Sequence, residues 1–407
     1  MKIFTGGLCM LMVFSAAMAS CNFSPGPELH NDQGGKKIRR IIPAAERTAE
    51  YFSMVSGKTV ALVANPGSRS GGVHLLDTLL SAGIRVDRVL APEHGFRGEA
   101  EAGEHVDGGV DEKTGVKVVS LYGRNRKPSS EDLKGIDLVI FDIQDVGVRF
   151  YTYLSTMHYV MDKCAEMDIE FMVLDRPNPN GFYIDGPVLD TKYSSFVGLH
   201  EVPLVHGMTP GEFALMIEGE GWLTGGRKLE LKVITVENYT HNRYYDLPVA
   251  PSPNLPNMKS VYLYPSLGLF EGTIMSIGRG TDMPFQVVGH PGLKQRDIAF
   301  TPRSIPGASK NPKHKGEICH GWDLRDTALA LREQKEIHLS WLIDSYEQLK
   351  KDYSYFNHFF YKLSGNNTLR KKIEAGWTEE KIRQSWEKDI EDFKKIRKRY
   401  LLYPDFE

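Results

Sequence analysis

Cysteine is scarce in this chain, which has four cysteines among 407 residues. Cys9 and Cys21 lie in the N-terminal segment, so Cys164 and Cys319 remain for the folded part. These two are far apart in the sequence, and neither belongs to a CxxC or Cys/His spacing typical of a metal site. The spacing favours two unpaired structural cysteines over a single disulfide.

An excess of charge of either sign is also missing. The formal net charge is -2 and the sequence pI is about 6.7, so no global field favours nucleic acid or an anionic membrane as a partner. Hydrophobic residues make up 41% and charged residues 25% of the chain, which is ordinary globular composition. At this length, two domains and a sizeable buried core are expected.

Signatures of several enzyme classes are absent. There is no GxxxxGK[ST] motif, Gly278-Arg-Gly280 lacks the third glycine of a dinucleotide site, and the nucleophile position of Gly67-Ser-Arg-Ser-Gly71 is Arg69. No nucleotide or other cofactor is therefore expected. The histidines form no HExxH or HxH pair. A metal could be held only through long-range assembly, and the ligands to test would be Glu93, His94, Asp142 and Asp145.

The N-terminus has the pattern of a targeting segment. Lys2 precedes an apolar stretch over residues 8–18, and Met18-Ala-Ser-Cys21 follows with small residues before a cysteine. The pattern resembles a bacterial lipoprotein signal over 1–21, with an ordinary signal peptide as the alternative. Residues 22–45 then form a flexible tether. We expect membrane attachment through lipidated Cys21, in the cell envelope, at the periplasm or cell surface.

From Thr59 onward, strand-like and helix-like segments alternate, which predicts an α/β fold with a Rossmann-like parallel sheet and helices on both faces. The predicted strands are 59–64, 85–90, 116–121, 138–142, 171–175 and 229–236, with helices over 73–82 and 151–167. Proline-rich residues 246–265 predict an extended connection. We assign 46–264 to a catalytic domain and 265–407 to a smaller C-terminal α+β domain, with helices over 322–353 and 378–400; the family resemblance described below implies that the smaller domain closes a cleft between the two.

Carboxylates follow several of these strands, at the edge of a parallel sheet where ligands bind. Glu93 is the first candidate, because Pro92 and the apolar strand before it could desolvate the carboxyl group and favour its protonated form. Cleavage of a glycosidic bond commonly needs two carboxylates. The candidates for the second catalytic group are Asp142, Asp145 and Glu271. Asp175 is a further carboxylate of this edge, with a role either in holding its loop or in the site.

Other polar and aromatic residues near these carboxylates are candidates for substrate binding. Arginine side chains suit an anionic substrate group, although they could instead neutralise neighbouring acids. The arginines are Arg97, Arg149, Arg176 and Arg279. Aromatic side chains that could stack on sugar faces are Tyr122, Tyr151, Tyr153, Phe182 and Tyr264. The remaining candidates are Asn65, His94, Gln144, Asp175, Asn178 and Asn254.

Six stretches of the sequence resemble one known family, the NamZ-type exo-β-N-acetylmuramidases of peptidoglycan recycling. They are Ala91-Pro-Glu-His-Gly-Phe-Arg-Gly98, Asp142-Ile-Gln-Asp-Val-Gly-Val-Arg-Phe-Tyr-Thr-Tyr153, Asp175-Arg-Pro-Asn-Pro-Asn-Gly181, His206-Gly-Met-Thr-Pro-Gly-Glu212, Pro251-Ser-Pro-Asn-Leu-Pro256 and Leu269-Phe-Glu-Gly-Thr273. The resemblance implies a Rossmann-like domain, a smaller C-terminal domain, and an active site in the cleft between them.

The same resemblance implies a glycoside hydrolase that releases N-acetylmuramic acid from the non-reducing ends of peptidoglycan fragments without a nucleotide cofactor. Glu93 is carried over as the general acid, and the lactyl carboxylate of the sugar gives the arginines a substrate role. Two alternatives stay open: a non-enzymatic envelope lipoprotein that binds muropeptides or other glycans, and a metal-dependent deacetylase or amidase. No obligate protein partner and no nucleic acid are inferred.

Overall fold

The computed structural model describes residues 30–31, 37–93, 95–97, 108–123 and 125–407. These residues divide into two units, one ending at Arg40 and one spanning Ile41–Glu407. The first unit contains one antiparallel pair of short strands, β1 (His30–Asn31) and β2 (Lys37–Ile38). The predicted signal peptide, Cys21 and much of the predicted tether lie outside the described residues.

The second unit is built on a seven-stranded sheet. Its N-terminal part contains, in chain order, α1 (Thr48–Val55), β3 (Thr59–Ala64), β4 (Arg69–Ser70), β5 (Val73–His74), α2 (Leu75–Ser81), β6 (Arg85–Ala91), β7 (Gly109–Val110), β8 (Lys117–Ser120), β9 (Leu138–Asp142), α3 (Tyr153–Glu166), β10 (Glu170–Leu174), α4 (Pro210–Gly219) and β11 (Leu231–Ile234). The strand order is β11-β10-β9-β3-β6-β8-β7. Every pairing in this sheet is parallel except that of β7 with β8.

Helices pack on both faces of the sheet, which gives the unit three layers, and the alternation of side chains along the central strand β3 explains this arrangement. Ala61 and Val63 belong to one hydrophobic cluster, which also contains residues of α3 and α4. Val60 and Leu62 point the other way and belong to a second cluster, with residues of α1 and α2. Because successive side chains of a strand face opposite sides of the sheet, one buried strand contributes to both cores. The predicted α/β class with helices on both faces is confirmed.

The C-terminal part is smaller and mixes helices with an antiparallel sheet. It contains α5 (Met258–Leu267), β12 (Val287–His290), β13 (Ile298–Phe300), β14 (Cys319–Asp323), α6 (Ala328–Gln334), α7 (Ser340–Leu349), α8 (Phe359–Ser364), α9 (Thr368–Glu374), α10 (Glu379–Gln384) and α11 (Glu387–Arg397). The sheet has the order β12-β14-β13. Phe360 of α8 and Ile390 of α11 share one hydrophobic cluster with Phe141 of β9, so the two parts have a common core.

All six predicted strands are present, with shifts of one or two residues at most ends. Strands β3 and β9 match their predictions at both ends, and β11 is two residues shorter than predicted at each end. The predicted helix over 73–82 begins only at Leu75, since Val73 and His74 form β5. Cys164 and Cys319 are buried free thiols, as predicted.

The long C-terminal helices predicted from periodicity are interrupted. Trp322 lies in strand β14, and Lys335 ends α6 in a left-handed conformation with φ of 57°, so no single helix spans 322–353. The segment 378–400 forms two helices, α10 and α11, that meet at Trp386. Thr378 caps α10 as its side chain accepts a hydrogen bond from the Lys381 amide. Periodicity marks the buried side of such a segment but does not detect a break.

The prediction of an extended connection over 246–265 is wrong: a turn closed by the Leu255 amide and the Ser252 carbonyl, 3.0 Å apart, interrupts its first part, and α5 occupies Met258–Leu267 and contains Pro265. A proline lacks the amide hydrogen that would bond to the carbonyl four residues earlier. That carbonyl, on Val261, instead accepts a hydrogen bond from Asn180 Nδ2 at 3.3 Å. The domain boundary at 264/265 stays a prediction. In the part of the chain that the structure describes, no helix is long and apolar enough to cross a membrane.

Candidate active site

The order of the strands brings several loops to one place. From the central strand β3 the chain passes to β6 and β8 on one side, then returns to β9 and continues to β10 and β11 on the other. In an open α/β sheet, ligands bind at the carboxyl ends of the strands near such a reversal. The loop after β6 carries Glu93, and the loop after β9 runs through Phe150 to Tyr153.

A cavity of about 270 Å³ is open at this edge. It is bounded by residues of both the N-terminal and the C-terminal part. The lining residues are Glu93, Phe150, Tyr151, Thr152, Tyr153, Val197, Ser252, Asn254, Leu255, Tyr264, Glu271, Arg279, Phe285 and Phe359. Two carboxylates, one guanidinium group and several aromatic rings thus share one space, which is near the lower end of the size range of ligand sites.

Glu93 is partly buried on the N-terminal side of the cavity. Its Oε2 atom accepts a hydrogen bond from Thr152 Oγ1 at 3.2 Å, and its backbone carbonyl accepts one from the Tyr153 hydroxyl at 3.4 Å. Both donors lie at the start of α3, a 14-residue helix anchored in the core. Glu93 is therefore positioned by a rigid element of the scaffold through uncharged donors.

Three tyrosine rings form one wall of the cavity. Tyr151 packs edge-on against Tyr153, with ring centroids 4.9 Å apart, and against Tyr264, with centroids 5.9 Å apart. The Tyr151 hydroxyl donates to the carbonyl of Pro251 at 2.7 Å. Burial raises the pKa of each of these tyrosines well above its ordinary value, and nearby Glu271 raises that of Tyr264 further. The phenols consequently stay neutral at physiological pH.

Glu271 faces the cavity from the C-terminal part. It lies in a 3-10 helix, Gly268–Gly272, that directly follows α5. Its Oε1 atom accepts hydrogen bonds from Arg279, at 2.8 Å from Nε and 2.6 Å from Nη2. The side chain of Glu271 is 25% exposed and that of Arg279 is 27% exposed. The Arg279 guanidinium also lies over the Phe285 ring, 5.0 Å from its centroid.

Two glycines explain why the Glu271 turn forms where it does. A Cβ atom on Gly272 would be 2.4 Å from Phe360 Cα, and one on Gly268 would be 2.2 Å from Phe150 Cε2. The turn therefore packs closely on α8 on one side and, on the other, on the loop after β9 that carries Phe150. A larger residue at either position would push the Glu271 backbone away from the cavity.

Several predicted site residues form instead a buried polar layer, defined as Asp142, Asp145, Asp175, Arg176 and Asn178. Arg176 pairs with Asp142 through Nε–Oδ1 at 2.6 Å and Nη2–Oδ2 at 2.8 Å, and Asp142 is 0% exposed. Asp175 accepts hydrogen bonds from Thr209 Oγ1, the Gly211 amide and the Tyr403 hydroxyl. Burial raises the pKa of Asp175 to about 7. These groups bond to one another, to backbone and to the Thr209 and Tyr403 hydroxyls, and they do not line the cavity.

Asp145 belongs to the same layer but is incompletely bonded. Its Oδ2 atom accepts a hydrogen bond from the Gly147 amide at 2.6 Å, whereas Oδ1 has no hydrogen-bond partner among the described residues. Burial raises the pKa of Asp145 to about 7. The neighbouring Gln144 donates to the backbone carbonyls of Asp145 and Pro177. Asn178 likewise donates to the Met208 carbonyl at 2.9 Å.

The remaining predicted residues lie elsewhere. Arg149 is 5% exposed and donates to the carbonyls of Pro187, Val202 and Leu363, and burial lowers its pKa to about 9. Arg97 pairs with Asp111, which is 14 residues further along the chain.

Three further predicted residues also lie away from the cavity. Asn65 is buried and accepts from the Gly67 amide, and Tyr122 borders a separate cavity of about 510 Å³. Phe182 is buried in the core. His94 lies outside the described residues.

The structure thus brings together five of the predicted catalytic and binding residues: Glu93, Tyr151, Asn254, Glu271 and Arg279. Tyr153 and Tyr264, expected as possible stacking residues, join them. Sequence reasoning missed Phe150, Thr152, Val197, Ser252, Leu255, Phe285 and Phe359. Thr152 and Ser252 lie inside family-like stretches and could have been found there. Phe150 and Leu255 lie inside the same stretches, whereas Val197, Phe285 and Phe359 carry no such signal, since most apolar side chains simply fill a core.

No metal site accompanies the cavity: in the described ranges, no group of three or more His, Cys, Asp or Glu side chains could hold a metal ion. The cavity lies at the carboxyl edge of a parallel α/β sheet and has aromatic walls. One carboxylate faces it from the N-terminal part and a second from the C-terminal part, so the protein has a paired-carboxylate site. Such a pair is the usual requirement of a glycoside hydrolase.

Comparison with known proteins identifies the family. Residues 60–259 match the N-terminal model, and residues 262–403 the C-terminal model, of exo-beta-N-acetylmuramidase NamZ. The chain is 40% identical, over 418 aligned positions covering 98% of each protein, to the peptidoglycan beta-N-acetylmuramidase NamZ of Bacillus subtilis strain 168. The chain therefore belongs to the NamZ family, which confirms the resemblance seen in the six stretches.

Two solved structures have the same fold. A DUF1343 family protein of Bacteroides fragilis NCTC 9343 is 48% identical, with a TM-score of 0.84, over 90% of this chain and 99% of that one. A second DUF1343 family protein of the same organism is 30% identical, with a TM-score of 0.74, over 90% of this chain and 100% of that one. The arrangement of one parallel sheet and a smaller C-terminal part is thus shared across these relatives.

Proposed function

We propose that this protein is an exo-acting β-N-acetylmuramidase, which hydrolyses the terminal β-N-acetylmuramoyl linkage of peptidoglycan fragments and releases N-acetylmuramic acid. The observation that carries the proposal is that two carboxylates, Glu93 and Glu271, face one small cavity with aromatic walls. Membership of the NamZ family and the activity of the Bacillus subtilis relative, a peptidoglycan beta-N-acetylmuramidase, support the same reaction.

The surroundings of the two carboxylates suit them to different roles. Arg279 places two donors on Glu271 and stabilises its negative charge, so Glu271 is the ionised group that attacks the anomeric carbon or activates water. Glu93 is contacted by the neutral Thr152 hydroxyl, so it is the group that carries a proton to the leaving oxygen. Two carboxyl groups in unlike environments are the usual way to divide acid and base work.

Substrate recognition follows from the other groups at the cavity. The contact with Glu271 engages two of the five donors of Arg279, so the same guanidinium can also bind the lactyl carboxylate. Asn254 Oδ1 is buried and has no hydrogen-bond partner among the described residues. This acceptor matches the N–H of the acetamido group. The tyrosine wall supplies faces on which a sugar ring can stack.

The buried polar layer has a scaffold role in this proposal. Asp142, Asp175 and Arg176 hold the carboxyl ends of β9 and β10 together through the contacts described above. Their bonds replace the water that these polar groups would otherwise require. The second catalytic carboxylate, left open by the sequence, is therefore Glu271 in our proposal.

A chromogenic β-glycoside of N-acetylmuramic acid tests the proposal. Wild-type protein should release N-acetylmuramic acid and the chromophore, and Glu93→Gln should lower kcat/KM by about 100-fold or more. The matched control is Glu112→Gln at an exposed position, which should retain wild-type activity. Wild-type protein that binds the sugar without turnover would instead favour the glycan-binding alternative.

The role of Arg279 can be tested with a second substrate. The corresponding N-acetylglucosamine glycoside differs by the absence of the lactyl group. Wild-type protein should prefer the muramic acid substrate, and Arg279→Met should weaken that preference by about tenfold, since one charge-assisted hydrogen bond contributes about 1.5 kcal/mol or more. An unchanged preference would show that another group binds the lactyl carboxylate.

We also propose that the protein acts in the cell envelope, attached through a lipid on Cys21. The support is the sequence pattern at residues 1–21 and a substrate that occurs in the envelope. The full chain expressed in a bacterial host should fractionate with membranes, and Cys21→Ser should release it. The control is Cys164→Ser, since that thiol is buried in the fold. Equal fractionation of wild type and Cys21→Ser would contradict the lipid anchor.

A further inference from the structure

One lysine contacts the backbone of the turn that carries Glu271. Lys313 Nζ lies 3.1 Å from the Phe270 carbonyl, 3.1 Å from the Glu271 carbonyl and 2.5 Å from the Thr273 carbonyl. An ammonium group has three donors and no acceptor. All three donors are thus matched by carbonyl oxygens of one short segment, although Lys313 is 40 or more residues distant in the chain.

These contacts solve a structural problem of the Glu271 turn. Carbonyls at the end of a short helix need donors from outside the helix. The Phe270 carbonyl also accepts from the Thr273 amide at 3.0 Å and the Thr273 hydroxyl at 2.8 Å, so Lys313 matters most for the Glu271 and Thr273 carbonyls. The 3-10 helix Gly268–Gly272 ends just where Lys313 binds. The adjacent His314 continues the contact, with Nε2 at 2.7 Å from the Ile274 carbonyl. The segment around Lys313 therefore fixes the backbone on both sides of Glu271.

Lys313 also borders a second space beside Glu271. A second cavity of about 200 Å³ adjoins the first, and both are lined by Glu271, Arg279 and Phe359. Lys313 lines the second cavity only. Its donors are directed to backbone carbonyls, so it holds the carboxylate-bearing turn from behind and does not contact the sugar in the first cavity.

We propose that Lys313 is a positioning residue for Glu271, acting by holding the Phe270–Thr273 carbonyls and so fixing where the carboxylate faces the anomeric carbon. The inference rests on the proposed function. Misplacement of a reacting group by about 1 Å can cost about 100-fold in rate. Loss of three hydrogen bonds on the turn should cause a displacement of this kind, with little effect on sugar binding in the tyrosine-lined cavity.

The test uses the full chain with four substitutions assayed on the chromogenic muramic acid glycoside. Lys313→Met should lower kcat by about 100-fold and change KM by less than about threefold. Lys313→Arg keeps the charge and several donors, and it should recover at least about tenfold of the loss. Lys315→Met is the matched control: Lys315 is exposed and donates to the Lys310 carbonyl at 3.4 Å, so wild-type kinetics are expected.

A double variant distinguishes positioning from general loss of structure. If Lys313 acts through Glu271, its removal should cost less than about twofold in the Glu271→Gln background, because coupled groups are not additive. An equal loss of kcat in both backgrounds would overturn the inference, as would wild-type kinetics for Lys313→Met. An inactive wild type would refute the proposed function itself, and an active Glu271→Gln protein would remove the premise of the inference.

Discussion

The cavity and the buried polar layer contain the same kinds of side chain in opposite settings. Glu93 and Glu271 are partly exposed, face an open space and have donors on one side only. Asp142 and Asp175 are 0% exposed and are bonded to fixed partners. All four lie in stretches that resemble the NamZ family. Motif membership therefore marks both the carboxylates that face the cavity and those that are buried beside it in the fold, and only their surroundings separate the two groups.

Breaking the buried ion pair should have the largest effect on stability. Arg176→Met leaves Asp142 buried without its counter-ion, which should cost about 3–5 kcal/mol in the free energy of unfolding. Urea denaturation of the purified protein measures this change. The control is Lys192→Met, because Lys192 and Asp190 form an exposed pair 3.8 Å apart that should contribute less than about 1 kcal/mol. A stable but inactive Arg176→Met protein would show that Arg176 acts in the active site and not in the scaffold.

Substitution of Asp145 should change the free energy of unfolding by a comparable or smaller amount, and the change should depend on pH. Its pKa is raised from 3.8 to about 7, so the folded state favours the protonated form. The stabilisation is fully present below about pH 4 and is lost as pH rises towards 7. Asp145→Asn removes this dependence and should stabilise the protein at pH 8 by up to roughly 4 kcal/mol. Thermal unfolding at pH 5 and pH 8 measures the difference. An equal effect of the substitution at both values would contradict the assignment.

In the cavity, substitution of Asn254 should change KM by about tenfold. Asn254→Ala removes the Oδ1 acceptor and should raise KM for the muramic acid glycoside by about tenfold, which corresponds to about 1.4 kcal/mol. The same glycoside without the acetamido group provides the control, because it cannot form the hydrogen bond and should respond less. Equal changes in KM for both substrates would indicate that Asn254 supports the cavity wall rather than the acetamido group.

Arg97 should give the smallest effect, although it lies in a family-like stretch. It is 27% exposed and paired with Asp111, and this pairing lowers the pKa of Asp111 to about 2. The pair therefore stabilises the fold above about pH 4 and loses its contribution as pH falls towards 2. Arg97→Met should cost about 1 kcal/mol at pH 7, less than the full pKa shift of Asp111 implies, because Arg97 is partly exposed and Thr114 also bonds to Asp111; kcat/KM should be unchanged. A large loss of activity would show that the loop carrying Arg97 is part of the active site.

The sheet was predictable because each central strand is a short apolar run between turn residues. The run over 59–64 gives β3 with both ends correct, since a strand buried on both faces is apolar throughout. The C-terminal helices were less predictable. Trp322 fits a helical stripe and yet lies in β14, because pairing with β12 and β13 outweighs local periodicity.

For the site, the sequence placed Glu93 and Glu271 among the candidate carboxylates but could not separate these two cavity residues from the buried Asp142 and Asp145. All are acidic residues near loop glycines or strand ends, and their difference is one of burial and partners. The Arg176–Asp142 contact joins residues 34 apart and the Arg149–Leu363 contact joins residues 214 apart. No local pattern encodes such pairs. Lys313 was missed for the same reason, since its partners are backbone atoms of a distant turn.

The most direct test of the account compares kcat/KM of Glu93→Gln, Glu271→Gln and Asp145→Asn with wild type on the same muramic acid glycoside. Each substitution replaces one carboxylate by an amide of nearly the same shape. We expect kcat/KM to fall by about 100-fold or more for substitutions of the two cavity residues and to change by no more than about threefold for Asp145→Asn. Loss of activity in Asp145→Asn with activity retained in Glu271→Gln would contradict it.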